Sequence, residues 1–248
     1  MTTTPDHLQE TDPTGLATLE NLAAAKRFNE WMFQTVRPFL KGHVFEAGSG
    51  IGNISELILG SGLSLTASDL RDEYIFKLKD KFRDNPLLKD VLAVDLAIPD
   101  FEQQFPGLVS HFDSFIALNV VEHIEHADLA IANARKMLKP GGHMVILVPA
   151  FQWLYNSFDT ELGHFKRYTA RTLKQLLAGQ QLEVIHSQYF NVMGMAGWFV
   201  NGGILKKKMI PAGQLKLYNS LVPAFRLLDR VTFNSMGLSV IAIGRKPV

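Results

Sequence analysis

Val44-Phe45-Glu46-Ala47-Gly48-Ser49-Gly50-Ile51-Gly52-Asn53 reads as a short apolar strand running through a glycine-rich turn into a helix. Glycines at alternate positions let the backbone take φ > 0 and bring its N–H groups close to a ligand, where any Cβ would collide. Behind the turn, Ile54, Leu57 and Ile58 keep helical spacing, which completes the strand, turn and helix context such a motif needs. The stretch is a candidate cofactor cradle, with Gly48, Ser49, Gly50, Gly52 and Asn53 facing the ligand.

Glu46 selects among cofactors. A dinucleotide brings its pyrophosphate to such a turn and to the helix N-terminus behind it, where a carboxylate would repel it. A sulfonium amino acid joined to adenosine brings an ammonium group instead, which Glu46 would attract. The G-x-G-x-G spacing also closes one residue earlier than the dinucleotide G-x-G-x-x-G. These residues resemble motif I of the class I S-adenosylmethionine-dependent methyltransferases, and the similarity continues over most of the chain. The resemblance implies S-adenosyl-L-methionine as cofactor and an α/β, Rossmann-like fold. That fold is a doubly wound, seven-stranded, mostly parallel sheet whose final antiparallel strand is inserted by a hairpin. A nicotinamide-dependent oxidoreductase would share the sheet but is opposed by Glu46 and by the glycine spacing, while a non-catalytic cofactor-binding scaffold would keep the same glycines.

The strand at 63–68 ends in Asp69, about twenty residues past the glycines, where an acid accepts hydrogen bonds from ribose hydroxyls. Leu70 lies beside it. A third strand at 91–94 is closed by Asp95 and Leu96, and the resemblance implies that Asp95 holds the adenine amino group while Leu96 lines the ring. The fourth strand, 111–119, reaches the carboxyl edge of the sheet at Asn119, and ligands of open α/β sheets bind along that edge. Asn119 and Val120 are therefore further cofactor candidates. The Asn-x-x-Glu-His pattern of Asn119, Glu122 and His123 looks like the family's motif IV region, where the methyl donor meets the acceptor. Pro140-Gly141-Gly142 turns the chain into a fifth strand at 144–148, which Pro149 ends because it cannot donate to a ladder. Further strands are expected at 184–190 and 238–244.

The segment 151–169 joins the fifth strand to a helix at 170–177 and crosses the catalytic end of the sheet. Loops that bring aromatics, acids, histidine and arginine beside a cofactor site are seldom only connectors. Its Gly-His-Phe-Lys-Arg-Tyr piece is similar to that of a bacterial small-molecule methyltransferase subgroup. Methyl transfer is an in-line displacement, so the protein chiefly aligns donor and acceptor and excludes water. An oxygen or nitrogen acceptor can also need its proton removed, and His123 and His164 are the candidate catalytic groups. Tyr155, Asp159, Arg167, Tyr168 and Trp198 are candidate acceptor contacts. Trp31 joins them because, in similar methyltransferases, the helix before motif I borders the active site; that helix is expected at 16–39, with packing of Phe28, Trp31 and Met32 on the sheet as its alternative role. Some similar methyltransferases bind a divalent ion through Glu-x-x-Glu-His. Glu122, His123, His126 and His164 offer oxygen and nitrogen ligands within possible reach, but Asn119 replaces the first Glu here, so no metal site is expected.

The chain holds 248 residues, 25 basic and 24 acidic, for a net charge of +1. That balance lacks the concentrated positive field of a general nucleic-acid binder. Cysteine is absent, which excludes disulfides and thiolate chemistry. Residues 1–15 are polar, contain Pro5 and Pro13, and do not read as a signal peptide, so a flexible tail and a cytoplasmic location are expected. The methyltransferase domain then occupies 16–248, with 191–234 inserted as a cap. Within the insertion, Tyr218, Leu221, Val222, Phe225 and Leu228 share a helical face that Pro223 should kink or restart. The cap is read as a lid over a small, apolar or aromatic acceptor. Peripheral membrane contact through 192–231, favoured by Lys206, Lys207 and Lys208, is the alternative and would suit a lipid-linked or saccharide acceptor.

Overall fold

The computed structural model describes residues 13–207 and 212–248. Helices α1 (Pro13–Ala24) and α2 (Lys26–Val36) precede β1 (His43–Ala47), α3 (Asn53–Gly60), β2 (Ser64–Ser68), α4 (Asp72–Lys81) and β3 (Leu88–Leu92). Next come α5 (Phe101–Gln104), β4 (Phe112–Leu118), α6 (Ala127–Met137), β5 (Leu138–Pro149), α7 (Ser157–Glu161), α8 (Ala170–Gly179) and β6 (Glu183–Phe190). The segment after β6, expected to form a cap, holds α9 (Val192–Trp198), a π-helical turn (Phe199–Ile204) and α10 (Ala212–Val231), and β7 (Ser239–Arg245) follows it.

Among the described residues the strands form one sheet in the order β3-β2-β1-β4-β5-β7-β6. The first five are parallel, and β7 runs antiparallel to both β5 and β6. This is the expected doubly wound sheet, including the inserted antiparallel strand. Both faces of the central strands are covered, which explains why they read as apolar runs rather than alternating ones. Successive side chains still divide between the two cores. Phe45, Phe115, Met144 and Ile146 meet Ile131, Met137, Leu173 and Leu177 on one face. Val44, Ile116, Val145 and Ile241 meet Trp31, Ile58, Leu78 and Val222 on the other.

Four boundaries differ from the sequence reading. β5 starts at Leu138 rather than 144, because Leu138 pairs with Phe112 before the register shifts, so Pro140-Gly141-Gly142 lies within the strand as an irregularity rather than ahead of it as a turn. The helix expected over 16–39 is two helices and a 3-10 turn, broken at Ala25, whose ψ is 55°. Asn29 Nδ2 donates to the Leu22 carbonyl at 2.8 Å, and the Phe28 N–H donates to Asn219 Oδ1 of α10 at 3.1 Å. The break is therefore stabilised by side chains, one of them from a remote helix. The third strand lies at Leu88–Leu92 rather than 91–94; Val94 is buried but has left the ladder. α10 continues through Pro223 as one helix. The expected flexible tail falls largely on residues 1–12, outside the described residues.

Candidate active site

The order of the sheet reverses direction between β1 and β4, which are parallel neighbours with Ala47 opposite Ala117. Such a switch point opens a crevice outside the carboxyl ends of the strands. The glycine turn lies there, with φ of +65° at Gly48, +54° at Gly50 and +81° at Gly52. A Cβ on Gly48 would sit 2.5 Å from Val120 Cγ2, and one on Gly50 would sit 3.0 Å from Leu19 Cδ1. The turn is thus closed in by the residue after Asn119 on one side and by α1 on the other. Asn53 Nδ2 secures α1 by donating to the Leu19 carbonyl at 3.1 Å.

Hydrogen bonds join the turn to the first two strands. The Ser49 N–H donates to the Ser68 carbonyl at 2.8 Å, and the Gly50 N–H donates to Asp69 Oδ2 at 2.9 Å. Asp69 Oδ1 accepts from the Arg71 N–H at 3.1 Å. Glu46 is buried, and its Oε2 accepts from Ser49 Oγ at 2.9 Å and from Ser55 Oγ. Burial raises the Glu46 carboxyl to about 7 in spite of these two bonds, and burial also raises Asp69. For Glu46 the fold favours the neutral form, so its contribution to stability is complete below the ordinary carboxylate range and is lost as pH rises towards 7. An incoming ammonium would select the ionised form. Affinity for S-adenosylmethionine is therefore expected to be about tenfold lower at pH 6 than at pH 8, and Glu46→Gln should flatten that slope. Calorimetric titrations across this range check it; a flat wild-type profile would remove the ammonium pairing.

The other expected cofactor residues occupy the same edge. Asp95 follows β3 and accepts the Ala97 N–H at 2.8 Å. Leu96 is buried in the core, and its carbonyl accepts from Asn133 Nδ2 at 2.9 Å. Leu70 is half-buried beside Asp69. Asn119 is exposed at φ +56°, and its N–H donates to the Leu147 carbonyl at 2.9 Å. A non-glycine residue in that region carries backbone strain, which tends to collect at functional edges. Phe151, the first residue of the crossing loop, shows the same feature at φ +60°.

That loop folds onto the end of β4, where the Phe165 N–H donates to the Glu122 carbonyl at 2.8 Å. His123 and His164 meet there edge to face with ring centroids 4.7 Å apart. His123 is exposed and His164 is buried. Asp159, fully buried, holds the arrangement: its Oδ1 accepts from His164 Nδ1 at 2.8 Å and from Arg167 Nε at 2.8 Å, and its Oδ2 from Arg167 Nη2 at 3.0 Å. Arg167 Nη1 donates to the Ala150 carbonyl at 3.0 Å. Burial pushes the Asp159 carboxyl upward, but the bonds from His164 and Arg167 prevail and hold it below its ordinary range.

Asp159 and Arg167, expected as acceptor contacts, are thus occupied with each other and serve to position His164. Tyr155 likewise donates its hydroxyl to the His164 carbonyl at 2.8 Å. Trp31 is buried, its ring centroid 4.4 Å from that of Phe190, and belongs to the core between α2 and the sheet; the large apolar ring finds its partners there. Trp198 does reach the loop. Its ring lies 4.9 Å from that of Phe158, with the Arg167 guanidinium 4.9 Å above it. The cap touches the loop again where Ser157 Oγ donates to the Gly202 carbonyl at 3.0 Å.

Three buried polar groups in this region have no hydrogen-bond partner among the described residues: the Glu122 carboxyl, at both oxygens, the hydroxyl of Tyr168 and the indole N–H of Trp198. Burial raises Glu122 to about 8, against the pull of Arg167. Burial and the neighbouring Glu122 also raise the Tyr168 phenol. Glu122 was legible as part of Asn-x-x-Glu-His, whereas Leu19 and Ser55 carried no sequence signal beyond helical spacing.

Residues 19–187 match the family described as a methyltransferase domain, and the chain belongs to that family. Its sheet order and glycine turn are those of the Rossmann-like methyltransferase fold. Among curated proteins it is 28% identical over 108 residues to the ubiquinone biosynthesis O-methyltransferase of Agrobacterium fabrum, covering 44% of this chain and 41% of that one. It is also 28% identical over 103 residues to highly reducing polyketide synthase 40 of Fusarium mangiferae, covering 42% of this chain and 4% of the synthase. Both matches span less than half of the relative's length. A SAM-dependent methyltransferase from Archaeoglobus fulgidus superposes with a TM-score of 0.60 at 16% identity, over 89% of this chain and 94% of that one, which is a likeness of fold.

Proposed function

We propose that the chain transfers the methyl group of S-adenosylmethionine to an oxygen or nitrogen nucleophile of a small, apolar or aromatic acceptor. The observation that carries this reading is the continuity of the site. Gly48 abuts Val120, Glu122 and His123 follow Val120 in the chain, and the loop holds His164 against His123. Donor and acceptor sides therefore share one crevice edge. The cofactor ribose would meet Asp69 and the adenine would meet Asp95. Tyr168 and Trp198 would border the acceptor, whose nucleophilic atom the two histidines orient and relieve of its proton. The name of the Agrobacterium relative, an O-methyltransferase of ubiquinone biosynthesis, supports an aromatic hydroxyl among the acceptors to be tried first.

The purified chain, incubated with methyl-labelled cofactor and a panel of phenols, catechols and aromatic amines, should label a small molecule. His123→Ala and His164→Ala should retain cofactor affinity while slowing turnover at least tenfold, about 1.4 kcal/mol of barrier. Label confined to protein or nucleic acid would overturn the acceptor class, and unchanged rates in both variants would remove the histidines from the reaction.

A lipid-borne acceptor is the second reading, favoured by the outer face of the cap. Leu217, Leu221, Leu227, Leu228 and Val231 of α10 are exposed, as is Phe233 beyond it, and Lys216, Arg226 and Arg230 lie on the same helix. Exposed apolar residues beside cations suit an anionic bilayer surface. No helix among the described residues is long and apolar enough to cross a membrane. Cosedimentation with anionic but not zwitterionic vesicles would favour this acceptor source.

A further inference from the structure

The fully buried Glu122 carboxyl has no hydrogen-bond partner at either oxygen among the described residues. An unpaired polar group away from water is costly unless something absent from the bare chain satisfies it. Glu122, His123 and His164 each offer one ligand atom, and these atoms lie within 4.8 Å of one another. We propose that these three residues bind a divalent first-row transition-metal ion at the acceptor end of the crevice.

The ligand chemistry defines the class of ion. Two imidazoles and one carboxylate suit zinc, cobalt, nickel, manganese or iron, whereas magnesium and calcium prefer oxygen. Bonds of about 2.0–2.2 Å require ligand atoms to approach to about 3.5 Å in a tetrahedral site. Side-chain adjustment on ion binding would have to close the remaining gap, and His123 is the exposed member of the three. His164 is already prepared. Its Nδ1 is engaged by Asp159 at 2.8 Å, which leaves Nε2 as the coordinating atom. A carboxylate on the far nitrogen of a histidine ligand fixes its tautomer and strengthens it as a donor. Arg167 in turn holds both oxygens of Asp159, so the supporting shell is complete before any ion arrives. Asn119 had argued against a metal because it replaces an acid in the linear motif. The third ligand, His164, comes instead from the crossing loop, outside that linear motif.

Three protein ligands leave at least one coordination position open, as catalytic metal sites require. On the reading that the acceptor binds here, its oxygen or nitrogen would take that position; the ion would then replace the two histidines as the group that eases loss of its proton, which would pass to solvent. The ion-binding claim stands on the geometry and does not depend on that reading.

The test is titration of chelator-stripped, full-length chain with Zn2+ by calorimetry and with Co2+ by visible absorption. One equivalent should bind. Glu122→Gln, His123→Ala and His164→Ala should each weaken binding at least tenfold, while His126→Ala, an exposed neighbour outside the trio, should not. Binding of demethylated cofactor reports the fold of each variant, and His123→Ala, at an exposed position, remains informative if the buried substitutions unfold the chain. No stoichiometric ion in the wild type, or unchanged affinity in His123→Ala, would overturn the site. Failure to bind cofactor alongside intact metal binding would instead count against the methyltransferase reading alone.

Discussion

Asp159→Ala should unfold at a markedly lower denaturant concentration than the wild-type chain, with a loss of about 3–5 kcal/mol, because it strands a buried charge. The carboxylate is fully buried and takes three hydrogen bonds from Arg167 and His164, and Arg167 is itself inaccessible at the guanidinium. Removing the acid leaves a guanidinium with only the Ala150 carbonyl as its remaining hydrogen-bond acceptor among the described residues. The effect should therefore depend on Arg167: in the Asp159→Ala/Arg167→Met double variant much of the loss is expected to return, since no charge is left unpaired. Equilibrium unfolding of the four proteins in the cycle measures this. A single variant within about 1 kcal/mol of wild type would mean that water reaches the guanidinium and that the pair does not fix the loop.

Asp69→Ala should lower affinity for S-adenosylmethionine at least a hundredfold. The carboxylate already accepts the N–H groups of Gly50 and Arg71, which orient it at the end of β2. Its remaining lone pairs would meet the ribose hydroxyls, and a hydrogen bond to a charged group contributes about 1.5–3 kcal/mol. Two such bonds amount to about 3 kcal/mol, or about a hundredfold in the dissociation constant. Asp69→Asn should fall between, because the amide keeps one accepting oxygen while its NH2 can only donate, to a ribose hydroxyl. Calorimetry with the demethylated cofactor gives the number, and a thermal melt of the unliganded variant separates lost affinity from lost fold. An affinity within fivefold of wild type would take the ribose away from Asp69.

The parts of this structure that sequence disclosed are those whose cause is local. Gly48, Gly50 and Gly52 adopt the positive φ that their spacing implied, and Asp69 directly follows the short strand β2, as its distance from the glycines implied. Six strands followed from apolar runs bounded by turn residues; β3, Leu88-Lys89-Asp90-Val91-Leu92, is no such run and only overlaps the one expected at 91–94. What stayed hidden depends on partners distant in the chain. Ala25 looks like an ordinary helical residue, and the break beside it is supported by Asn219 from α10. Asp159 and Arg167 are as well suited to a solvent-facing ligand clamp as to a buried pair. Only the fold of the loop, which carries the guanidinium over Trp198 and under the Ala150 carbonyl, decides between them. Trp31 is similar: an aromatic on the helix before the glycine turn can face a ligand or the core, and contact with Phe190 of β6 makes it core.

The position of β7 has a bearing on how the molecule comes to be. Though the most C-terminal strand, it is interior to the sheet, hydrogen-bonded to β5 on one side and β6 on the other. During vectorial synthesis those two neighbours must wait with open backbone edges until Ser239–Arg245 arrives to fill the gap. A chain cut short of that segment would lose a whole sheet edge rather than a tail, and would present two sticky borders to other nascent chains.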